Sequence, residues 1–320
     1  MKSMMNNRSE LIVMCGLSAS GKSTIAKELA VKHDAAIVSS DAIRKEICGT
    51  VADQSKNEEV FKIFHKRIRE YLNNGQSVIA DATNITMKSR RAIIENVKSL
   101  DVEKICYIIP KKFEQCRTDN VNREHPVPEE VIVAQRSKFQ IPFKEEGFDE
   151  IIIYDMGYEV SDKNTLLELM WKMLGFDQEN PHHNLDLGLH CEFTYKMFSS
   201  GRDTLDSYKN GFLLGARLHD YGKLFTKKID DEGIGHFLGH DSVGCYEVLT
   251  KLYHPEPNWT DTKLLDCCFL INYHMMPFSW ENKKTHDRWR ERFGEYKYEM
   301  LMRFHECDKA RTEKEIINGE

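Results

Sequence analysis

The chain has 320 residues, of which 41% are hydrophobic and 30% charged, and a net charge of −6 at pH 7. That length suits two domains, each able to bury its own core. The acidic balance excludes the basic footprint of a high-affinity nucleic-acid binder, so any nucleic acid must be held locally, at a site. No apolar run is long enough to cross a bilayer and the first ten residues lack a signal-peptide core. The nine cysteines are odd in number and contain no C-x-x-C pair. The expectation is a reduced, cytoplasmic protein without membrane contact.

The first predicted strand is the apolar run Leu11-Ile12-Val13-Met14-Cys15. It leads into Gly16-Leu17-Ser18-Ala19-Ser20-Gly21-Lys22-Ser23-Thr24, and a helical run follows from Lys22 to Val31. The pattern G-x-x-x-x-G-K-S between a buried strand and a helix is a phosphate-binding loop. Glycines at 16 and 21 free the backbone to aim successive N–H groups at phosphate oxygens, and the helix adds the positive end of its dipole. Gly16, Ser18, Ala19, Ser20, Gly21, Lys22, Ser23 and Thr24 are therefore expected to cradle ATP. Lys22 reaches the β- and γ-phosphates, and the Ser23 hydroxyl holds Mg2+.

A second strand, Ala35 to Ser39, delivers Ser40-Asp41-Ala42-Ile43-Arg44. Ligands of an open α/β sheet bind at the carboxyl ends of strands, which places Asp41 at the loop's crevice. There it can accept the proton of an attacking hydroxyl, with Arg44 gripping an anionic acceptor; Asp41 also reads as an ordinary helix cap. Glu58 to Asn73 is predicted helical, burying Val60, Phe61, Phe64, Ile68 and Leu72. The strand Ser77 to Ala80 ends in Asp81-Ala82-Thr83-Asn84, and Asp81 is suited to the magnesium hydration shell or to orienting the acceptor. Lys88, Arg90 and Arg91 open the next helix, toward a phosphate chain or toward water. After a strand at Ile105 to Ile109, a helix from Phe113 to Asn122, a break at Arg123 to Pro128 and a helix through Phe139 form a helical lid. Arginine in such a lid stabilises the phosphoryl in flight: Arg123 first, Arg117 second, with Arg136 structural. A last strand, Glu150 to Tyr154, completes a mostly parallel sheet.

The loop, Ser40-Asp41-x-x-Arg44, Asp81-x-Thr83-Asn84 with Arg90-Arg91, and Arg123 before Val127-Pro128 together resemble the kinase module of the polynucleotide 5′-kinases of phage and bacterial RNA-repair proteins. The resemblance spans about residues 9–155. It implies an α/β P-loop kinase that transfers phosphoryl from ATP to a 5′-hydroxyl, with Asp41 the general base, Arg44 on the acceptor phosphate and Arg123 the lid arginine. In the phage enzyme Asp-Thr-Asn is contiguous, whereas here Ala82 intervenes.

The composition changes between Asp155 and Pro181, through a predicted helix at Lys163 to Leu174. The division is a kinase-like domain over 1–157, a linker helix over 158–175 and a second domain over 176–320. Eight of the thirteen histidines lie between His182 and His274. His190, His219-Asp220, His240, His274 and Asp308 fall in five successive helical stretches, and imidazoles and carboxylates from several helices are how helical folds build metal sites. Adjacent His219 and Asp220 share one metal only near a helix end, which Gly222 supplies. Lys223 stands ready to neutralise a phosphate. His236-x-x-x-His240 lacks the glutamate of zinc proteases, having Phe237 in its place.

This set resembles the HD phosphohydrolase superfamily over about residues 176–312, implying an all-α HD-type helical domain and metal-dependent phosphoester hydrolysis. By it His190, His219, Asp220 and Asp308 are the shared ligands, Asp220 bridges, and His240 and His274 complete a two-metal set. The implied cofactors are one or two divalent transition-metal ions (Mn, Ni, Co, Fe or Zn). His183 and His236 are candidates to support the ligands. The expected function is nucleic-acid end healing, with 5′-hydroxyl phosphorylation by the first domain and hydrolysis of a 3′-phosphate or 2′,3′-cyclic phosphate by the second. RNA or DNA ends would be the substrates and a separate ligase a partner; oligomeric state is not specified. A kinase and phosphohydrolase of a nucleoside or small phosphorylated metabolite, and a non-catalytic nucleotide sensor, are the alternatives.

Overall fold

The computed structural model describes residues 8–158, 165–180, 185–200, 211–253 and 261–309. The chain divides into two compact units, the first running to Gln135 and resuming over Pro142–Met156, the second comprising Arg136–Ile141 and the chain from Gly157 onward.

In the first unit the elements follow as β1 (Glu10–Cys15), α1 (Lys22–His33), β2 (Ala35–Ser39), α2 (Ser40–Cys48), α3 (Asn57–Asn73), β3 (Ser77–Asp81), α4 (Met87–Val97), β4 (Glu103–Ile108), α5 (Phe113–Val121), α6 (Glu129–Arg136) and β5 (Glu150–Ile153). The five strands form one sheet in the order β2-β3-β1-β4-β5, parallel throughout. Leu11 to Cys15 have no exposed surface, which is why the central strand is a continuous apolar run rather than an alternating one. β2 and β3 lie on one side of β1 and β4 and β5 on the other, so the strand order switches sides at β1, where a ligand crevice forms at the carboxyl ends of the strands. Along α3, Val60, Phe64, Ile68 and Leu72 recur every four residues and are buried. Phe61, expected in the same stripe, is 36% exposed because it lies off that row, at its margin.

The second lid helix is shorter than its sequence suggests. Helix α6 stops at Arg136, and residues 136–141 belong to the second unit. There Arg136 pairs with Glu247 at 2.9 Å, while the Asn272 side chain accepts from Ile141 N at 2.7 Å and donates to Phe139 O at 3.0 Å. These bonds satisfy backbone groups that a continued helix would have used itself.

The second unit contains α7 (Thr165–Met173), α8 (Leu187–Ser199), α9 (Gly211–Leu218), α10 (Lys223–Thr226), β6 (Lys228–Ile229), β7 (Gly235–His236), α11 (His240–Leu252), α12 (Asp261–Tyr273) and α13 (Lys283–Lys309). It is helical apart from the antiparallel β6–β7 hairpin, which corrects the all-α expectation. Gly294 adopts φ 73° and ψ 158° within α13 and kinks it. No helix among the described residues is long and apolar enough to cross a membrane. All nine cysteines are free thiols.

Candidate functional site

The phosphate loop leaves the carboxyl end of β1 and closes on α1. Gly21 sits at φ 93°, in the left-handed region that favours glycine. Gly16 is required for a different reason: a Cβ there would lie 2.9 Å from Ser20 Oγ. The Gly16 N–H donates to Thr83 O at 3.0 Å, so the loop is pinned to the segment following β3. Lys22 is buried and its ammonium donates to Leu17 O at 2.6 Å, inside the loop's own curve. Burial holds its pKa below the usual lysine value, opposed by the Asp81 carboxylate. Thr24 N–H opens the helical ladder by donating to Gly21 O at 3.0 Å.

Strand register settles what Asp81 faces. β3 lies beside β1, and Asp81 is level with Ser39 at the end of β2. The Ser23 hydroxyl donates to Asp81 Oδ2 at 2.8 Å. Burial raises the Asp81 carboxyl above the ordinary aspartate value, while Ser23 and Lys22 draw it back. Asp81 is the last residue of β3, and Ala82 lies in the bend beyond it.

Asp41 lies in the first turn of α2, capped by Ser39. Its carboxylate is exposed and 3.1 Å from Arg44 Nη1. Its charge raises the pKa of both Lys22 and Asp81. Arg44 is buried, and its second nitrogen donates to Asn57 Oδ1 at 2.6 Å. Two of the predicted basic residues go elsewhere. Arg90, expected at a phosphate chain or in water, has no exposed surface and makes a two-pronged pair with Glu146 at 2.8 and 2.6 Å. Arg117, predicted beside the nucleotide, instead pairs within α5 with Glu114 at 2.8 Å and ties α5 to α6 through Glu129. Arg123 stands exposed in the break between those helices.

Three polar contacts at the loop were not read from the sequence. The Gln135 carboxamide accepts from Ser18 N at 2.7 Å and donates to Ser18 Oγ at 2.9 Å. Lys111 Nζ donates to Ala19 O at 3.1 Å. Ser39, level with Asp81 in the β2–β3 register, helps hold its carboxyl down. Each comes from an element distant in sequence, and no motif marks it.

In the second unit six predicted residues converge. His190, His219 and Asp308 form one cluster and Asp220, His240 and His274 another, all buried. Asp220 stands between them: Oδ1 is 3.1 Å from His240 Nε2 and 3.5 Å from His274 Nε2, and Oδ2 is 3.3 Å from His219 Nε2 and 3.5 Å from His190 Nε2. Asp308 Oδ1 lies 3.2 Å from His190 Nε2.

The elements that deliver them differ in detail from expectation. Helix α9 ends at Leu218, so His219 and Asp220 occupy the turn after it and their side chains converge, His219 Nε2 lying 3.3 Å from Asp220 Oδ2, as a regular helix would not allow. Gly222, expected to end that helix, is in ordinary right-handed conformation (φ −65°) and starts α10. Its missing side chain serves packing, since a Cβ there would lie 1.9 Å from His240 O, and one on Gly244 would lie 2.8 Å from Gly222 N. This close approach brings the His219-Asp220 turn onto the start of α11, which carries His240. His274 follows the last residue of α12, and Asp308 lies in the final turn of α13.

Three of the imidazoles have their tautomer fixed. Nδ1 of His219, His240 and His274 each donates to the carbonyl three residues earlier, Ala216 at 3.0 Å, Phe237 at 2.8 Å and Ile271 at 2.7 Å. Each Nε2 is thereby left as a lone-pair donor for a cation. The His240 and His274 Nε2 atoms face each other at 3.2 Å, an arrangement that two neutral acceptors tolerate only with a proton or a cation between them. Burial would raise the Asp220 carboxyl, but the Lys223 ammonium and the His219 ring hold it well below the usual range. Against the same burial, His190 and His219 hold Asp308 low. The donor set of imidazoles and ionised carboxylates fits divalent transition metals.

Lys223 is not free for a phosphate here. Its ammonium lies 2.8 Å from Asp220 Oδ2 and donates to Gln178 Oε1 at 2.8 Å, because one helical turn separates it from Asp220. His236 is exposed on the hairpin and pairs with Asp230 at 2.7 Å, which removes it from the ligands' surroundings. His183 lies outside the described residues.

Residues 11–142 match a family model described as an AAA domain. The first unit has a P-loop kinase fold. The chain is 28% identical over 150 residues to the bifunctional polynucleotide phosphatase/kinase of Schizosaccharomyces pombe, covering 44% of this chain and 32% of that protein. It is 27% identical over 173 residues to the L-seryl-tRNA(Sec) kinase of Methanococcus maripaludis, covering 52% and 66%. A gluconokinase structure from Sinorhizobium meliloti superposes with a TM-score of 0.35 at 17% identity, covering 47% of this chain and 84% of that one. The chain thus spans about a third of the first relative's length and under two thirds of the second's.

Proposed function

We propose that the chain is a two-site enzyme of nucleic-acid ends: an ATP-dependent polynucleotide 5′-hydroxyl kinase joined to an HD-type phosphohydrolase that removes a 3′-phosphate or opens a 2′,3′-cyclic phosphate. The reading is supported by two groups of side chains of the kinds that phosphorus chemistry uses. One is a phosphate loop with the Ser23–Asp81 pair, the other two ligand clusters with Asp220 between them. A kinase and a phosphohydrolase acting on one atom would cancel; acting on the two ends of a broken strand, they cooperate.

In the first site the loop N–H groups and Lys22 hold the triphosphate, and Ser23 and Asp81 are the residues for Mg2+. Magnesium neutralises charge on the β- and γ-phosphates. Asp41, exposed at the crevice, takes the proton of the acceptor hydroxyl, Arg44 binds the acceptor's phosphate, and Arg123 meets the transferring phosphoryl from the lid. In the second site His190, His219 and Asp308 would hold one ion and His240, His274 and Asp220 a second. Such ions supply Lewis-acid polarisation of a phosphoester and an activated water. Lys223 balances the Asp220 charge until an anionic substrate competes for it.

A second reading is a hydroxyl acceptor other than a polynucleotide end: a small metabolite or, as in the name of the relative L-seryl-tRNA(Sec) kinase, a seryl group. The two separate on acceptor choice. The purified protein with ATP and magnesium is expected to label a 5′-hydroxyl oligonucleotide and not free nucleosides. With manganese, nickel or cobalt it is expected to release phosphate from a 3′-phosphorylated oligonucleotide or open a 2′,3′-cyclic end. Nucleoside labelling without oligonucleotide labelling would transfer the case to the small acceptor. Nucleotide binding with turnover on neither would leave only a sensor.

A further inference from the structure

The loop's outer half is held by a residue that no motif contains. Gln135 projects from the last turn of α6 and grips Ser18 twice, accepting from its N–H at 2.7 Å and donating to its hydroxyl at 2.9 Å. The neighbouring residue's carbonyl, Leu17 O, receives the Lys22 ammonium at 2.6 Å. Lys22 in such a loop addresses the β- and γ-phosphates. Ser18, next to the lysine's resting place, therefore marks the γ-phosphate end. The lid arginine expected from the sequence, Arg123, lies in the break before α6, at the other end of that helix from Gln135. Arg117 is tied to Glu114 and Glu129.

We propose that Gln135 is a positioning residue for phosphoryl transfer: its carboxamide latches the lid helix to Ser18 and fixes the γ-phosphate end of the loop in its reactive shape. The inference rests on the kinase reading of the first unit. A carboxamide suits the task because one planar group offers an acceptor and a donor at the spacing of a serine N–H and its own hydroxyl. It does so without adding charge beside a triphosphate. An arginine there would bind phosphate in the ground state as well, whereas a neutral latch acts through geometry.

The test uses the full chain with Gln135→Met, which keeps length and removes both hydrogen bonds, and Ser18→Ala, which removes only the hydroxyl partner. Binding of ADP and of a non-hydrolysable ATP analogue is measured for each, alongside kcat and KM for ATP with the acceptor that the parent phosphorylates. Gln135→Met is expected to leave ADP affinity within twofold, to weaken the γ-phosphate-bearing analogue and raise KM for ATP several-fold together, and to lower kcat about tenfold, on the scale of lost positioning. Ser18→Ala should show a smaller loss, and the double variant should match Gln135→Met rather than the sum of the two, the mark of a shared interaction. Equal weakening of ADP and analogue, or additive losses, would overturn the latch. Should Gln135→Met fail to fold, the ADP-against-analogue comparison on Ser18→Ala decides, an unchanged ratio sinking the idea. Absence of acceptor phosphorylation by the parent counts against the kinase reading, while the binding comparison still judges the latch.

Discussion

Ser23 Oγ lies 2.8 Å from Asp81 Oδ2, joining the last third of the phosphate loop to the end of the adjacent strand β3. A hydroxyl and a carboxylate so placed share one side of the crevice, where both can serve the same hydrated cation. The pair gives Asp81 a place in the site despite the inserted Ala82.

That geometry has a pH signature. Burial raises the Asp81 carboxyl, so the folded state holds its proton more tightly than the unfolded chain does. The group's contribution to the stability of the metal-free protein therefore falls as pH rises from the ordinary value of about 3.9 through the raised one. Mg·ATP competes with that proton, and its affinity should climb across the same window. Unfolding temperature against pH, measured with and without Mg·ATP, is expected to show this slope in the parent and not in Asp81→Asn. Identical profiles for the two proteins would remove Asp81 from the magnesium site.

The two chemistries should separate by mutation. Asp41→Asn is expected to lower 5′-kinase turnover by about 10²- to 10⁴-fold, the usual weight of a general base, and to leave phosphohydrolase rates unchanged. Asp220→Ala should do the reverse and also strip bound metal, read by elemental analysis of the purified protein. If each variant lost both activities while remaining folded, the division into two sites would be wrong.

Gly244 offers a test of how the metal ligands are assembled. A Cβ there would lie 2.8 Å from Gly222 N, prising the His219-Asp220 turn from α11. Gly244→Ala is expected to destabilise by about 1–3 kcal/mol, as overpacking commonly does, and to reduce bound metal while nucleotide binding persists. Full metal occupancy in this variant would show that the ligands do not depend on the glycine contact.

The Arg90–Glu146 pair, with both side chains at 0% exposure, is structural in this account. Arg90→Ala strands a buried carboxylate and should cost about 3–5 kcal/mol, seen in denaturant unfolding. Arg90→Met combined with Glu146→Leu should recover most of that. A loss below about 1 kcal/mol for the single change, the scale of an exposed pair, would contradict the assignment.

Much of the site was legible because short-range rules govern it. The strand, glycine loop and helix around Lys22 are local, and their residue types follow from backbone freedom and from phosphate charge. The histidines and aspartates of the second unit were readable by type, since few other side chains bind transition metals, but not by distance. Arg90 shows the limit most plainly: an arginine opening a helix beside a phosphate site has the same sequence signature whether it meets a ligand or a buried Glu146 56 residues away.

The sequence by itself determined the phosphate loop, the parallel α/β character of the first unit and the candidate metal ligands of the second, because each depends on residue type and near-neighbour spacing. Only the tertiary structure decided that Asp81 meets Ser23, that Gln135 holds Ser18, that Lys223 is engaged by Asp220, and that Asp220 stands between two clusters. Those pairings come from strand order, helix ends and the side-chain-free contact of Gly222 with α11, which bring together residues that no local pattern relates.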